Sequence, residues 1–390
     1  MFHFTSTPPL ALYIHIPWCV RKCPYCDFNS HEAKSALPER EYVAALLRDL
    51  EQELPAVWGR VVDTVFIGGG TPSLFSPESI DALLAGVRAR VTLKPDAEIT
   101  LEANPGTLEQ GRFAEFRAAG INRLSIGVQS FRDDALQRIG RIHDRRAAIR
   151  AAEAAHDAGL DNFNLDLMFG LPDQTLDQAL EDLRTAVALE PAHLSWYQLT
   201  IEPNTWFAHH PPLLPDDDAL WEMQEQGQVQ LAQAGYTQYE VSAYARDGRQ
   251  CRHNLHYWRF HDYLGIGAGA HGKITDAQAQ RIRRRWKQKH PQRYLEQVGS
   301  EAVLGGVSEL TPADARFDFA LNLFRLHEGT DRAAFTATTG LPADYLQAPL
   351  ERALELGLLE ENRERIQPTE RGRRFLNDLL ALFLPEEKQT

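Results

Sequence analysis

Three of the four cysteines lie within eight residues, as Cys19, Cys23 and Cys26 in the spacing CxxxCxxC. Soft thiolates this close together on one loop suit an iron–sulfur cluster or another soft metal. Three ligands are one short of a closed four-cysteine site, so a bound iron would keep an open position. A loose zinc site or three buried thiols are the alternatives, but zinc sites usually pair CxxC units and complete four ligands. The uneven spacing therefore favours the cluster.

A glycine-rich motif, Gly68-Gly-Gly-Thr-Pro72, follows the second predicted strand. Backbone N–H groups in such a turn can approach a ligand closely because no Cβ intrudes. On its own, the motif would indicate only a tight turn before a helix.

The elements that must position these motifs alternate along the chain. Short apolar runs predict strands over Leu10–Pro17, Asp63–Gly70, Glu98–Asn104, Arg123–Gln129, Asn162–Phe169 and His193–Ile201. Amphipathic or alanine-rich stretches predict helices over Glu39–Leu54, from Ser76, and over Leu108–Ala119, Arg145–Ala158, Thr175–Leu189 and Asp216–Ala234. This alternation predicts an α/β fold whose parallel sheet curls into a full or partial β/α barrel. An open doubly wound sheet is the alternative.

Polar residues fall at or just beyond the carboxyl ends of these strands. They are Cys19, Gly69, Glu102, Gln129 and Asp166. Because the strand ends of a barrel share one mouth, residues far apart in sequence would converge there. This placement favours the barrel.

The chain changes character after about residue 275. A basic run, Arg281 to Lys289, is predicted to be the solvated face of a helix, with a contact to an anionic ligand or a partner as the alternative. From Thr311 onward the pattern is mainly helical, with a short strand at Arg365–Ile366, as in a winged-helix module. We predict a barrel domain over residues 1–275 and a C-terminal, mainly helical, winged-helix-like domain over residues 276–390.

Composition limits the remaining possibilities. A net charge of −13 argues against nucleic-acid binding over the whole surface. Four cysteines in 390 residues do not make a disulfide framework. The N-terminus has neither a basic segment nor a long apolar one, and no stretch is apolar enough to span a membrane. The sequence therefore predicts a cytoplasmic protein.

The cysteine spacing directly after a strand resembles the radical S-adenosylmethionine (SAM) superfamily. More closely, the chain resembles the family of oxygen-independent coproporphyrinogen III oxidase and its heme-chaperone relatives, over nearly its whole length. The matching motifs, in order, are Tyr13-Ile-His-Ile-Pro17, GGGTP, Leu101-Glu-Ala-Asn-Pro105, Ser125-Ile-Gly-Val-Gln-Ser-Phe131 and Asn164-Leu-Asp-Leu-Met-Phe-Gly-Leu-Pro172, followed by the C-terminal domain.

This resemblance implies a [4Fe–4S] cluster on Cys19, Cys23 and Cys26. It implies that SAM lies among Tyr13, Gly69, Gly70, Thr71, Glu102, Gln129, Arg141, Asp166 and Thr200. The residue types suit this role, since carboxylates can accept hydrogen bonds from ribose hydroxyls or an ammonium group, and an arginine can bind a carboxylate through two N–H groups. Singly, each of them could equally cap a loop or form a surface ion pair.

Two departures separate the chain from the oxidase. The oxidase pattern continues CxxxCxxCxC, whereas Asp27 and Phe28 follow Cys26 here. The oxidase also has an extension ahead of its first strand, whereas here that strand begins by Leu10. The resemblance therefore favours the heme chaperone, with oxygen-independent coproporphyrinogen III oxidation as the alternative. Whether SAM is cleaved, and so whether the protein is an enzyme, stays open.

The stretch Arg252-His-Asn-Leu-His-Tyr-Trp258 resembles the chaperones. Neutral imidazole suits heme iron, so His253 is the first candidate heme ligand and His271 the second, with His256 also considered. Each could instead brace a loop. Cys251 could attach heme covalently or simply be a core cysteine. The implied partners are heme and an acceptor protein, for which a membrane-bound heme protein is one option.

Overall fold

The computed structural model describes residues 1–106 and 111–385. The strands in these residues are β1 Leu10–Ile16, β2 Trp18–Cys19, β3 His31–Glu32, β4 Val61–Gly69, β5 Thr92–Ala103, β6 Arg123–Gln129, β7 Phe163–Phe169, β8 His193–Gln198, β9 Thr237–Glu240, β10 Ala243–Ala245, β11 Asp262–Ile266, β12 His271–Asp276, β13 Arg281–Lys287, β14 Leu304–Glu309, β15 Thr330–Asp331 and β16 Arg365–Ile366. The six strands predicted for the barrel are confirmed.

The helices alternate with these strands. They are α1 Glu39–Val57, α2 Pro77–Arg88, α3 Phe113–Ala119, α4 Asp133–Arg138, α5 Arg145–Asp157, α6 Leu176–Ala188, α7 Trp206–His209, α8 Asp217–Gln233, α9 Arg252–Trp258, α10 Pro291–Gln297, α11 Pro312–Leu323, α12 Arg332–Thr339, α13 Gln347–Glu355, α14 Glu370–Arg374 and α15 Leu376–Ala381. The start predicted for one helix, Leu108, lies outside the described residues, and the structure describes α3 from Phe113 to Ala119.

One twelve-stranded sheet organises the described chain, in the order β14-β13-β12-β11-β1-β4-β5-β6-β7-β8-β10-β9. The strands from β11 to β8 in this order run parallel, and antiparallel strands extend both ends. The order does not close on itself, so the sheet is a partial barrel rather than a full one. This confirms the predicted fold class, because the parallel strands bring their carboxyl ends to one edge.

The core lies between the parallel strands and the helices that connect them. β1 is buried along nearly its whole length, and α1 contributes Tyr42, Leu46 and Leu50 to the same apolar core. Strands covered on both faces read as continuous apolar runs rather than alternating ones. This burial is the reason that Leu10–Ile16 could be recognised from sequence.

A second apolar cluster holds the C-terminal helices together and includes Phe319, Phe335 and Leu379. Phe4 from the N-terminus and Phe260, which precedes β11, also belong to it. The domain boundary at residues 275/276 stays a prediction, and strands β13 and β14 beyond it continue the main sheet. No helix in the described residues is both long enough and apolar enough to cross a membrane.

The prediction for the basic run was wrong. Arg281–Lys287 forms β13, not a solvated helix, and its cations are paired. Lys287 bonds Asp49 and Glu53 of α1 at 2.5 and 2.7 Å, and Arg285 bonds Glu53 at 3.0 Å. Alternate residues of a strand share one face, so a run of cations can meet carboxylates from another element.

Candidate functional site

A cavity of about 580 Å³ opens at the carboxyl ends of the parallel strands. We call it the cysteine cavity, because Cys19, Cys23 and Cys26 all line it. The other predicted residues that line it are Gly69, Gly70, Thr71, Glu102, Gln129, Arg141, Asp166 and Thr200. The predicted convergence of these positions is therefore observed, with Tyr13, His253 and His271 outside this cavity.

The cysteine loop is held at its base by main-chain contacts. β2 and β3 pair in parallel, with Trp18 opposite His31, so the chain between them forms a loop that carries Cys23 and Cys26. The Ala33 N–H donates to the Cys19 carbonyl at 2.9 Å. The loop therefore starts and ends at one fixed point beside β1.

The three thiols are half-buried and unpaired. Burial raises the pKa of Cys19, against a hydrogen bond from Thr71, and burial also raises the pKa of Cys26, beside Ser30. Among the described residues, no three His, Cys, Asp or Glu side chains are arranged to hold one metal ion. An iron–sulfur cluster spreads its cysteine ligands over several irons, so three soft thiols around one cavity fit a cluster better than a single ion.

The glycine turn packs directly onto the cysteine loop. The Gly70 N–H donates to the Ile16 carbonyl at 2.8 Å, and the Thr71 N–H donates to the Trp18 carbonyl at 2.7 Å. A Cβ at residue 70 would meet the Trp18 carbonyl at 2.5 Å, and Gly69 has a φ of +119°. Only glycine fits this close approach, which places main-chain groups at the cavity wall.

Two carboxylates face the same cavity from neighbouring parts of the sheet. Glu102 accepts a hydrogen bond from the Gly69 N–H at 2.9 Å, and burial raises its pKa to about 7, with Asp166 adding to the effect. Asp166 accepts from Ser125 and Asn164, at 3.1 and 2.8 Å, and burial raises its pKa as well. Buried carboxylates with free lone pairs can bind hydroxyl or ammonium donors of a ligand.

Arg141 joins the strand ends to the cysteines. One of its terminal nitrogens donates to Asn104 Oδ1 at 2.7 Å and to the Gly127 carbonyl, and the other lies 3.7 Å from Cys23 Sγ. Its Nε is buried and has no hydrogen-bond partner among the described residues. Buried donors are normally satisfied, so this N–H suits an acceptor that a ligand would bring.

Gln129 ends β6 in a left-handed conformation, with a φ of 71°. Its side-chain oxygen accepts a hydrogen bond from the Tyr197 hydroxyl at 2.8 Å. A non-glycine residue in this region costs about 1 kcal/mol or more and often marks a functional site. Thr200 also lines the cysteine cavity, and its hydroxyl donates a hydrogen bond to the Glu202 carboxylate at 2.8 Å.

Tyr13 lies behind the glycine turn, in contact with His15. The Tyr13 hydroxyl lies 2.9 Å from His15 Nδ1, and His15 Nε2 lies 2.9 Å from the Asn29 carbonyl at the end of the cysteine loop. Burial lowers the pKa of His15 to about 4, so its ring is neutral at neutral pH. Sequence reasoning missed His15 as a positioning residue, although it lies inside the quoted motif.

A second cavity, of about 380 Å³, lies on the other side of Gly69 and Glu102. We call it the tyrosine cavity, because its lining includes Tyr13, Tyr257, Tyr263, Phe28, His271 and Lys289. The two cavities share Phe28, Gly69 and Glu102. His271 therefore faces a space next to the cysteine cavity.

His253 is buried, at 1% exposure, and both its ring nitrogens are engaged. Nδ1 hydrogen-bonds with the Thr64 hydroxyl at 2.8 Å, and Nε2 with the Tyr257 hydroxyl at 3.0 Å. These contacts match the alternative in which His253 braces the structure rather than binding heme.

Cys251 lines the cysteine cavity, and burial raises the pKa of its thiol to about 12, which makes it a weak nucleophile. The third histidine considered from the sequence, His256, has its Nε2 atom 3.6 Å from Oδ2 of Asp63.

The polar residues that support the carboxylates were not singled out from the sequence. Asn104 donates to Thr71 Oγ1 at 2.8 Å while it accepts from Arg141, and Asn164 donates to both Ser125 and Asp166. Their position at or near strand ends, inside the quoted motifs, was the available signal. Several of their partners are distant in sequence, since Thr71 and Arg141 lie in loops and Ser125 on β6, and a single sequence does not reveal such contacts.

Family models match two parts of the chain. The model of the radical SAM superfamily matches residues 13–186. That of the HemN C-terminal domain matches residues 310–375. The first match contains the cysteine loop, the glycine turn and both carboxylates.

Relatives match over nearly the full length. The heme chaperone HemW of Escherichia coli is 55% identical, over 97% of this chain and 99% of its own. HemW of Haemophilus influenzae is 53% identical, with the same coverage. Among solved structures, coproporphyrinogen III oxidase (HemN) from Escherichia coli, described as a radical SAM enzyme, has a TM-score of 0.81 at 26% identity, covering 97% of this chain and 90% of that one.

Proposed function

The chain belongs to the heme chaperone HemW family, and from this membership we propose that it binds heme and transfers it to an acceptor protein. The observation that carries the proposal is the 55% identity to a heme chaperone over 97% of this chain. The solved oxidase of similar fold shares only 26% identity. Asp27 and Phe28 after Cys26, where the oxidase pattern has a further cysteine, support the same choice.

We further propose that Cys19, Cys23 and Cys26 hold a [4Fe–4S] cluster and that SAM occupies the rest of the cysteine cavity. When bound, the cluster supplies an open iron site and electrons. The chain's own part is to place donors and acceptors. Glu102 and Asp166 accept from hydroxyl or ammonium groups, Arg141 offers its unpartnered Nε–H to a carboxylate, and the glycine turn leaves room for the backbone to approach.

Other predicted site residues have supporting roles in this proposal. Gln129 and Thr200 line the cysteine cavity, and Thr71 orients Asn104 within it. Tyr13 bounds the tyrosine cavity behind the glycine turn. The acceptor protein is proposed only as a heme protein, with a membrane-bound one as an option. A cytoplasmic setting is proposed because three unpaired thiols need a reducing compartment.

The test is hemin titration of the purified full-length chain after anaerobic reconstitution with iron and sulfide. A saturable complex with a defined absorption band in the Soret region is the expected result. Absence of a stable hemin complex would defeat the chaperone proposal. Growth of an oxidase-deficient strain that expresses this chain would instead support coproporphyrinogen III oxidation.

The cluster is tested separately by iron content. Changing Cys19, Cys23 and Cys26 together to Ser should abolish bound iron and the visible absorption of the reconstituted cluster. Cys251→Ser is the matched control, because this cysteine lines the same cavity without belonging to the loop, and it should keep full iron content. Equal iron loss in the control would contradict the assignment.

A further inference from the structure

A third cavity, of about 450 Å³, is lined by the end of α1 and by strands β11, β12 and β13. We call it the tryptophan cavity, because Trp58, the residue that follows α1, lines it. It shares no lining residue with the cysteine cavity or the tyrosine cavity. Ligand pockets in proteins usually measure about 300–1,000 Å³, so this cavity can hold a small molecule. The residues proposed above to hold the cluster and SAM have no part in it.

Trp58 is an aromatic side chain that the protein leaves uncovered. It is 80% exposed, and its ring stacks on no aromatic or cationic side chain among the residues that the structure describes. Tryptophan is usually well buried, because its large apolar surface is costly to leave in water. An uncovered indole beside a cavity offers a face on which the flat aromatic ring of a ligand can stack.

Two arginines of β13 supply positive charge to the same cavity. Arg283 and Arg285 occupy alternate positions of the strand and therefore share one of its faces. Arg283 contacts Glu309 through Nε at 3.2 Å, and Arg285 contacts Glu53 through one terminal nitrogen at 3.0 Å. A guanidinium group carries five N–H donors, so each arginine keeps donors that no described residue accepts.

The charged members of the lining leave an excess of positive charge. They are three arginines and two carboxylates, namely Arg60, Arg283, Arg285, Glu53 and Asp276. This excess occurs in a chain whose net charge is −13. A phosphate group carries about two negative charges and three acceptor oxygens, so it can accept from two neighbouring guanidinium groups at once. The cavity therefore suits a phosphate better than a single carboxylate.

We propose that the tryptophan cavity binds a nucleoside phosphate, with its base stacked on Trp58 and its phosphate hydrogen-bonded to Arg283 and Arg285. A nucleotide joins a flat aromatic ring to a multiply charged anion, which is the combination that these side chains accommodate. Gln278 also lines the cavity, and its exposed amide can both donate and accept hydrogen bonds, as the edge of a base does. The inference goes beyond the proposed chaperone function and does not depend on it.

Calorimetric titration of the full-length chain with AMP, GMP, CMP and UMP in turn tests the site. The chain is first reconstituted anaerobically with iron and sulfide, and SAM is kept in excess so that the nucleotides do not enter the cysteine cavity. At least one nucleotide should bind saturably with a Kd below about 1 mM, and its nucleoside should bind more weakly. Wild type that binds none of the four at millimolar concentration would overturn the inference.

Variants of the cavity then locate the bound nucleotide. Trp58→Ala should raise the Kd of the tightest nucleotide about tenfold, whereas Trp58→Phe keeps a stacking ring and should stay within about threefold of wild type. Arg283→Gln should raise the Kd of the nucleotide about tenfold and leave that of the nucleoside unchanged, because only the nucleotide carries the phosphate. Trp58 is exposed and the partner of Arg283 is an exposed carboxylate, so these variants should fold.

Two exposed residues outside the cavity serve as matched controls. Trp221 is 41% exposed on α8, and Arg365 forms a single exposed ion pair with Asp331. Trp221→Ala and Arg365→Gln should both bind the nucleotide as wild type does. If Trp58→Ala and Arg283→Gln also leave its Kd unchanged, the nucleotide binds elsewhere on the chain and the assignment to the tryptophan cavity is wrong.

Discussion

Glu102 is a carboxyl group whose ionisation should affect the stability of the cofactor-free protein. Its pKa is raised by burial to about 7, so the folded state holds its proton more tightly than the unfolded chain does. Stability from this group is fully present below the unfolded pKa and is lost as pH rises through about 7. Glu102→Gln keeps the acceptor for the Gly69 N–H and removes the charge. The variant should match wild type near pH 4.5 and exceed its free energy of unfolding by roughly 3 kcal/mol at pH 8.

Urea unfolding of the cofactor-free chain at several pH values measures this difference. Glu115→Gln, on the exposed face of α3, is the control and should follow the wild-type pH dependence. A Glu102→Gln variant that is less stable than wild type at pH 8 would mean that the charged carboxylate is stabilised in the folded protein.

For individual residues, the type of side chain at the site was predictable from sequence, but the contacts that each side chain makes were not. The motif that contains His253 could be recognised, and imidazole chemistry made a ligand role reasonable. Its partner Thr64 lies 189 positions away, on β4. Only the fold shows that both ring nitrogens of His253 are already engaged, whereas His271 lines the tyrosine cavity and its ring forms no hydrogen bond with a residue that the structure describes.

Among the elements, β13 shows how an ion-pair network holds the edge of the sheet. Lys287 is 2% exposed and contacts two carboxylates of α1, Asp49 and Glu53. Lys287→Ala would leave Asp49 buried without its cation, while Glu53 would keep Arg285, and breaking a buried pair from one side typically costs about 3–5 kcal/mol. Thermal or urea unfolding should show that loss. Arg281→Ala, at the exposed end of the same strand, should cost about 1 kcal/mol or less.

If Lys287→Ala is as stable as Arg281→Ala, the Asp49 carboxyl group is protonated and uncharged in the folded protein. Its hydrogen bonds from Tyr294 and from the Gly267 N–H could then suffice.

The strands of the barrel were predictable where consecutive residues are buried, as in β6 and β7, whereas the largely exposed first half of β5, from Thr92, lay outside the predicted strand. Runs such as Leu10–Ile16 are almost entirely apolar, Gly120 ends α3, and the capping residue Thr175 begins α6. The same reasoning failed at β13, because its many basic residues led to the prediction of a solvent-exposed helix face. The carboxylates that neutralise Lys287 lie over 230 positions earlier in the chain, so no local pattern could reveal a buried cation.

For the whole molecule, the convergence of strand ends was predictable from topology alone. Parallel strands joined by helices place Glu102, Gln129 and Asp166 at one edge whatever their sequence separation. The second cavity was not predictable, because its walls come from β1, α9, β11, β12 and the cysteine loop. Antiparallel strands such as β12 lie outside the repeating strand–helix pattern, so their position could not be predicted from that pattern.

Arg325 links the C-terminal helices to the main sheet and to the cysteine cavity. It contacts Glu240 of β9 at 2.9 Å, lies 4.3 Å over the ring of Trp258, and lines the cavity itself. Glu240 is 4% exposed in its side chain, so its charge depends on this partner. An ion pair of this kind is costly to break from one side, because the remaining charge stays buried.

Arg325→Ala should therefore lower the free energy of unfolding by about 3–5 kcal/mol, and the added change Glu240→Gln should recover part of the loss because no buried charge then remains unpaired. Arg374→Ala is the matched control, since Arg374 contacts Glu225 of α8 in an exposed pair and should cost about 1 kcal/mol or less. Urea unfolding of Arg325→Ala, Glu240→Gln and the double variant measures the coupling energy, with Arg374→Ala measured alongside. If Arg325→Ala costs no more than Arg374→Ala, the contact with Glu240 does not hold the C-terminal helices against the sheet, and other contacts, among them the apolar cluster around Phe319 and the pair of Arg284 with Asp318, do so instead.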